Sequence, residues 1–195
     1  MEKSAPNLRD RKRRAMMLRI QDEAFRAAFE SGFTGTTVEG IASAADVSPS
    51  TVYRAFGTKE GIFLWDELEL PTMELLAGEL ARHSPVEASI AVVEAMGALE
   101  VHVSDAEMRE RLNLVLTEPG LRASLDGELR RFETGLAAMF VRGGVIGVVE
   151  ARIVAAATVA ATIGAIEAWG SADPPVSFAV ATVEAAASLR SVLNG

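Results

Sequence analysis

Apolar positions recur along this chain at helical spacing, and no convincing stretch alternates as a half-buried strand does. From Arg9 to Ser31, Met17, Ile20, Ala24 and Ala28, with neighbouring Phe25 and Phe29, form one stripe, and Gly32 is placed to end that helix. Thr36 with Glu39 three residues later predicts a capping box. Val38, Ile41, Ala42 and Ala45 follow on one face of a short helix, which Ala45-Asp46-Val47 breaks. In VSPSTVYRAF, Ser48 is an N-cap and Pro49 falls at the first helical position, where its missing N–H costs nothing. Val52 and Phe56 share a face at i,i+4 spacing. Thr58 caps the next helix, which carries Ile62, Phe63 and Trp65. Short helices with tight joints behind a longer one have the spacing of a helix-turn-helix, whose second helix enters the major groove of DNA. Val47, Val52 and Phe56 then anchor that helix, and Ser50, Thr51 and Tyr53 face outward.

Beyond Trp65 the helices lengthen. Pro71 and Pro85 punctuate them, and Pro119-Gly120 opens a long one with its stripe at Leu125, Leu129, Phe132, Leu136 and Phe140. Arg142-Gly143-Gly144 ends it, a short GVIGVV joint follows, and two last helices are expected over about 150–169 and 175–193. The fold class is all-α. The run IVAAATVAATIGAI between Arg152 and Glu167 has 14 residues, fewer than the roughly 20 that span a bilayer, so no membrane segment is expected.

Composition narrows the chemistry. About half of the 195 residues are hydrophobic, which supports a packed core, and there is no cysteine for a disulfide, a thiolate metal site or a nucleophile. The charged N-terminus has no apolar core of a secretory signal, and a cytoplasmic location is expected. Charge is uneven. Residues 1–60 carry ten Lys/Arg and eight Asp/Glu, whereas the rest carries nine against nineteen. Within the first 21 residues seven basic side chains face only Glu2 and Asp10. A basic end on an acidic body points to a polyanionic partner.

The run RIQDEAFRAAFESGFTGTTVEGIASAADVSPSTVYRAFGTKEGI, Arg19 to Ile62, resembles the DNA-binding domain of the tetracycline-repressor (TetR) family. The resemblance rests on Gly32-Phe33 before TTV, Ile41-Ala42 with Ala45, Val47-Ser48 through Thr51-Val52-Tyr53, Phe56 and Lys59-Glu60. It implies a helix-turn-helix domain over 9–64 and a helical effector-binding and dimerisation domain over 65–195. It further implies a double-stranded DNA operator, a small-molecule effector and a homodimer formed through the last two helices, about 150–193. Thr37 and Ser48 would lie near phosphate or base edges, Ser50 and Thr51 in the major groove, and Tyr53 and Lys59 on phosphates. Arg54, Arg13 and Arg14 would add further contacts. The family pocket lies among the middle helices; its candidates here are Trp65, Met96, Leu99, His102, Leu112, Leu116, Phe132 and Met139, with Met73 and Phe140 beside them. Methionines and aromatics with few charges suit an apolar or amphipathic effector. Three positions depart from the family pattern: Asp46 stands at the turn where glycine is usual, Ala55 where His or Tyr often reaches phosphate, and Gly40 inside the first helix of the motif.

Other function classes find little support. The only histidines, His83 and His102, are not at metal-ligand spacing, and Gly143-Gly144 lacks the lysine of a phosphate-binding loop. No catalytic residue, cofactor or metal is expected. The sequence therefore predicts a DNA-binding transcriptional regulator, most simply a ligand-released homodimeric repressor. The alternative is a ligand-independent or partner-regulated DNA binder of the same fold.

Overall fold

The computed structural model describes residues 8–99, 101–144, 146–173 and 175–194. Among these the secondary structure is helical throughout: α1 (Leu8–Gly35), α2 (Val38–Ala44), α3 (Pro49–Phe56), α4 (Lys59–Leu64), α5 (Glu69–Leu80), α6 (Pro85–Met96), α7 (Asp105–Thr117), α8 (Pro119–Arg142), α9 (Val148–Gly170) and α10 (Phe178–Asn194). The joint read as GVIGVV forms no strand among its described residues; Val145 lies outside them, as do Glu2 and Lys3 of the basic end. The chain divides into two compact units. One holds residues through Glu67 together with Leu114–Ser124, and the other holds Leu68–Asn113 with Leu125 onward.

The first unit is built on α1. Its apolar stripe buries Met17, Ile20, Ala24, Phe25 and Ala28, and the helix packs against α2 and α4. Phe63 of α4 stands edge-on to Phe25 and Phe33, with ring centroids 5.0 and 5.3 Å away. The helix does not stop at Gly32 but breaks there, at φ 77 and ψ 157, and a last turn runs on to Gly35. That backbone position is nearly closed to residues with a Cβ. The break moves the next cap. Thr36 is buried and its hydroxyl donates to the Gly32 carbonyl at 2.9 Å. The capping role passes to Thr37, whose Oγ1 accepts from Gly40 N at 3.1 Å. The N-cap expected at Thr36 therefore moves to Thr37, and with Gly40 three residues on, the expected capping box with Glu39 does not form.

Two side chains of α1 tie the motif to it. Arg19 Nε donates to the Ala45 carbonyl at 2.9 Å, where the turn begins. Asp46 follows with φ 52, the left-handed conformation that explains the usual glycine there. The buried Gln21 donates through Nε2 to the carbonyls of Ile62 and Trp65, at 2.9 and 2.8 Å, and so fixes the end of α4. The α7–α8 corner also belongs to this unit: Leu121 is fully buried, and Gly120 faces the Phe33 ring, whose edge lies 3.5 Å from where a Cβ would stand.

The second unit centres on α6, which packs against α5, α9 and α10. Its start is a full capping box: Ser84 Oγ accepts from Glu87 N, and Glu87 Oε2 accepts from Ser84 N at 3.1 Å. One apolar cluster joins Ala88 and Val92 of α6 to Leu76, Leu136, Phe140 and Val154. A second joins Ile90 and Val93 to Ala185, Ala186 and Leu189 of α10. At Gly97, just past α6, a Cβ would lie 2.4 Å from Ala179 Cα, so only glycine permits this approach to α10. Arg109 of α7 stacks on Trp169, its guanidinium 4.2 Å from the ring centroid, and donates to the carbonyls of Trp169 and Val176 across the α9–α10 connection.

The apolar run in the last third lies inside a longer helix than its own length suggests. α9 has 23 residues and mean hydropathy 1.6 over its most apolar 18-residue window, of which 22% is buried. By length and composition alone it is long and apolar enough to cross a membrane. Its alanine-rich inner side is nonetheless engaged by α6 and α10. Its outer side carries Val149 and Ile153, both more than half exposed, followed by exposed Ala160 and Gly164.

Candidate nucleic-acid interface

α3 is presented by local rules. Ser48 holds extended backbone at φ −79 and ψ 150, and its Oγ accepts from Thr51 N at 3.2 Å, closing the first turn. Gly57 ends the helix at φ 76, again a left-handed position. Val52 is buried, so the helix can turn only one side to solvent. That side carries Ser50, Tyr53 and Arg54, all exposed, with Thr51 half-buried beside them. Their hydroxyls are already linked: Ser48 Oγ lies 2.9 Å from both Ser50 Oγ and Thr51 Oγ1, and Arg54 Nη2 donates to Thr51 Oγ1 at 3.3 Å. Hydroxyls bond either donors or acceptors on base edges and discriminate weakly, and Arg54 adds a directional donor.

Alongside α3 lies an open cleft of about 650 Å³. Arg9, Lys12, Arg13 and Met16 of α1 line it together with Arg54 and Ala55 of α3. Thr51 also lines it, and Asp10 is its one acid. Sequence reasoning singled out Arg13 and Arg14 and left Arg9 aside. The missed signal is spacing: Arg9, Lys12, Arg13 and Met16 stand at i, i+3, i+4 and i+7, one face of a helix, which Arg11 and Arg14 do not share. Arg14 pairs instead with Glu67, whose side chain is 8% exposed.

Thr37 and Lys59 are drawn into the fold as well as standing near α3. Thr37 caps α2. Lys59 Nζ donates to the carbonyls of Phe33 and Thr36, at 2.9 and 3.1 Å, and sits 4.0 Å above the Phe33 ring. Two of its three donors thus go to carbonyls at and just past the end of α1, Phe33 O also accepting from Thr36 N at 3.2 Å.

The effector candidates fall in both units. Trp65 and Leu116 belong to the first unit, Trp65 standing edge-on to Phe56 with centroids 6.1 Å apart. Met96, Phe132 and Met139, with Met73, pack half-buried on the cluster around Leu136 and Phe140. Leu99 and Leu112 are half-buried elsewhere in the second unit, Leu112 against Gly170, and His102 is exposed.

Residues 20–64 match the family model for bacterial regulatory proteins of the tetR family, and residues 84–194 match the MftR C-terminal domain. The HTH-type transcriptional regulator TcmR of Streptomyces glaucescens is 34% identical over 142 residues, 67% of this chain and 59% of TcmR, so the match spans less than two thirds of that relative. Two solved structures share the fold. Native NalD of Pseudomonas aeruginosa, the secondary repressor of the MexAB-OprM multidrug efflux pump, superposes with TM-score 0.53 at 18% identity, over 90% of this chain and 96% of its own. Thermus thermophilus FadR, a transcriptional repressor in complex with lauroyl-CoA, gives TM-score 0.52 at 21% identity, over 89% and 92%.

Proposed function

Because the chain belongs to the TetR family of DNA-binding transcriptional regulators, we propose that it is a homodimeric repressor released from a palindromic operator by a small apolar or amphipathic ligand. A regulator of this family acts by binding and not by catalysis. The observation that carries the reading is α3, which is held by Val52 from behind and turns Ser50, Thr51, Tyr53 and Arg54 outward. Ser50 and Thr51 read base edges in the major groove, and Tyr53, 48% exposed, bonds a phosphate. Ser48 and Thr37 add donors at the ends of their helices, and Lys59 has one donor left for DNA. Arg13 contributes directly, and Arg14 from its pair with Glu67.

The second copy is supported by an uncovered apolar face. On α9, Val149, Ile153, Ala160 and Gly164 share one side; on α10, Val180, Val183 and Ala187 do, and all seven are exposed. Contiguous apolar surface of this kind marks an interface, and its small residues let helices approach closely. A two-fold dimer sets the recognition helices about 34–36 Å apart, one turn of DNA. The effector site is assigned to the second unit, beside the flexible side chains of Met96, Phe132 and Met139. A ligand acts there only by binding one spacing of the recognition helices better than the other.

Selection of genomic fragments by the purified protein, read by sequencing, tests the operator and should enrich a palindrome. Sedimentation of Ile153→Asp with Val183→Asp tests the interface: the wild type should be a dimer and the double variant a folded monomer. A dimeric double variant would place the interface elsewhere.

A further inference from the structure

The exposed apolar rows of α9 and α10 lie on two helices, and they act as one surface only while the helices keep a fixed angle. The chain between them, residues 171–177, carries no helix among its described residues. One face of α7 holds both ends of that connection: Asp105, Arg109 and Leu112 stand at i, i+4 and i+7. Arg109 donates to the carbonyl of Trp169 in the last turn of α9 and, through Nη2, to that of Val176 just before α10. Its guanidinium lies 4.2 Å from the centroid of the Trp169 ring. Trp169 Nε1 donates to the same Val176 carbonyl at 3.0 Å, and Phe178 stands edge-on to the indole with centroids 5.2 Å apart. Asp105 Oδ2 accepts from Phe178 N, at the start of α10, at 3.3 Å. Leu112 packs on the end of α9, where a Cβ at Gly170 would lie 3.2 Å from its Cδ2.

We propose that Arg109 is a positioning residue for self-association: it fixes the angle at which α9 and α10 present their exposed rows. The proposal rests on the reading of those rows as the dimer face. The chemistry selects arginine. A planar guanidinium offers separate donors to two carbonyls while its face lies on an indole, which a lysine ammonium cannot do. Its charge also suits the C-terminal end of α9, where the helix dipole is negative. Trp169 is 1% exposed, so its ring cannot turn away without opening the fold around it. Without the fork, the Trp169 and Val176 carbonyls lose their tie to α7 and the connection can pivot. Association must then order the helix pair as well as dock it, and that cost is subtracted from the affinity. In a two-fold dimer the loss is felt twice, because both copies present the same surface.

The test is sedimentation equilibrium of the full chain at a temperature where each variant is folded, so that it reads the association of folded chains. Arg109→Met should raise the dimer dissociation constant by about tenfold or more. Arg109→Lys, which keeps the charge and loses the fork, should raise it too. Arg131→Met, the same change at an exposed position of α8, should leave it at the wild-type value. Fold stability is read separately, by thermal unfolding in the Ile153→Asp, Val183→Asp background, where no dimer contributes. A residue that only stabilises the fold would lower that midpoint and leave the dissociation constant unchanged, and this result would overturn the proposal. Equal weakening by Arg131→Met and Arg109→Met would overturn it as well, since loss of any surface cation would then suffice. Should Arg109→Met fail to fold, Arg109→Lys decides alone, and a wild-type dissociation constant there refutes the assignment. A monomeric wild type, or a double aspartate variant that stays dimeric, would remove the dimer face and the proposal with it. A dimeric wild type, a monomeric double variant and an unweakened Arg109→Met would remove the proposal and leave the dimer face standing.

Discussion

Gly61 is the position where one methyl group should disturb both stability and DNA binding. It is the third residue of α4, and a Cβ built there would stand 2.3 Å from the Phe56 carbonyl oxygen, the last carbonyl of α3. That is roughly 0.7 Å short of the 3.0 Å below which real Cβ atoms essentially never approach a neighbour. The obstacle is backbone, so no rotamer change relieves it. α4 cannot slide away freely either. Thr58 Oγ1 caps it by accepting from Gly61 N at 3.0 Å, Gln21 holds its last turn, and Ile62 and Phe63 are buried. Overpacking of this kind costs about 1–3 kcal/mol, with the upper end expected against fixed backbone, and alanine returns about 1 kcal/mol of helix propensity. The net is a loss of about 2 kcal/mol for Gly61→Ala, a fall in Tm of about 4–8 °C for a chain of this size. Duplex affinity should fall as well, since the strain is taken up at the joint that orients α3. Gly78→Ala in α5 is the comparison, because nothing lies within 4 Å of its Cβ. It should gain up to about 1 kcal/mol and raise Tm. Thermal unfolding followed by far-ultraviolet circular dichroism measures both. If Gly61→Ala matched Gly78→Ala, α4 would not approach α3 as described.

Three further outcomes are expected. Asp46→Val should destabilise by about 1–2 kcal/mol through the left-handed turn, and Asp46→Gly should not, as chemical denaturation would show. Lys59→Met should cost about 1.5–3 kcal/mol of folding stability in the absence of DNA, because charge-assisted bonds to the Phe33 and Thr36 carbonyls are removed; an unchanged denaturation midpoint with weakened DNA binding would mean its ammonium serves only phosphate. The Ser84 backbone N–H, then its hydroxyl, hold the Glu87 carboxyl below the usual carboxylate range. The α6 cap is therefore fully present above the unfolded-state value and is lost as pH falls through the folded one. A carboxyl titration by NMR should show Glu87 shifted down, and Ser84→Ala should return it toward normal.

Sequence alone determined what depends on a few neighbouring residues. The starts of α3 and α4 follow from Ser48-Pro49 and Thr58, because an N-cap is a bond between residues three apart. The division of α3 into a buried Val52 and an outward polar row follows from helical spacing. The left-handed turn at Asp46 was legible from a departure in the motif. The TetR-type N-terminal domain was legible for the same reason, its pattern being dense and local.

Tertiary structure decided the rest. Thr36 gave up its cap to Thr37 because the Gly32 carbonyl lay within reach, and Lys59 turned toward the Phe33 and Thr36 carbonyls that folding brought near it. Arg14 found Glu67, while Arg9, Lys12 and Arg13 were left facing α3. The corner Leu114–Ser124, far along the chain, joined the first unit. Met73, Met96, Phe132 and Met139 came together on the cluster around Leu136 and Phe140 only in the fold, because an apolar stripe on one helix records that a face is covered and not what covers it. Long cations and apolar faces take their roles from distant partners, and those partners are brought near only by folding.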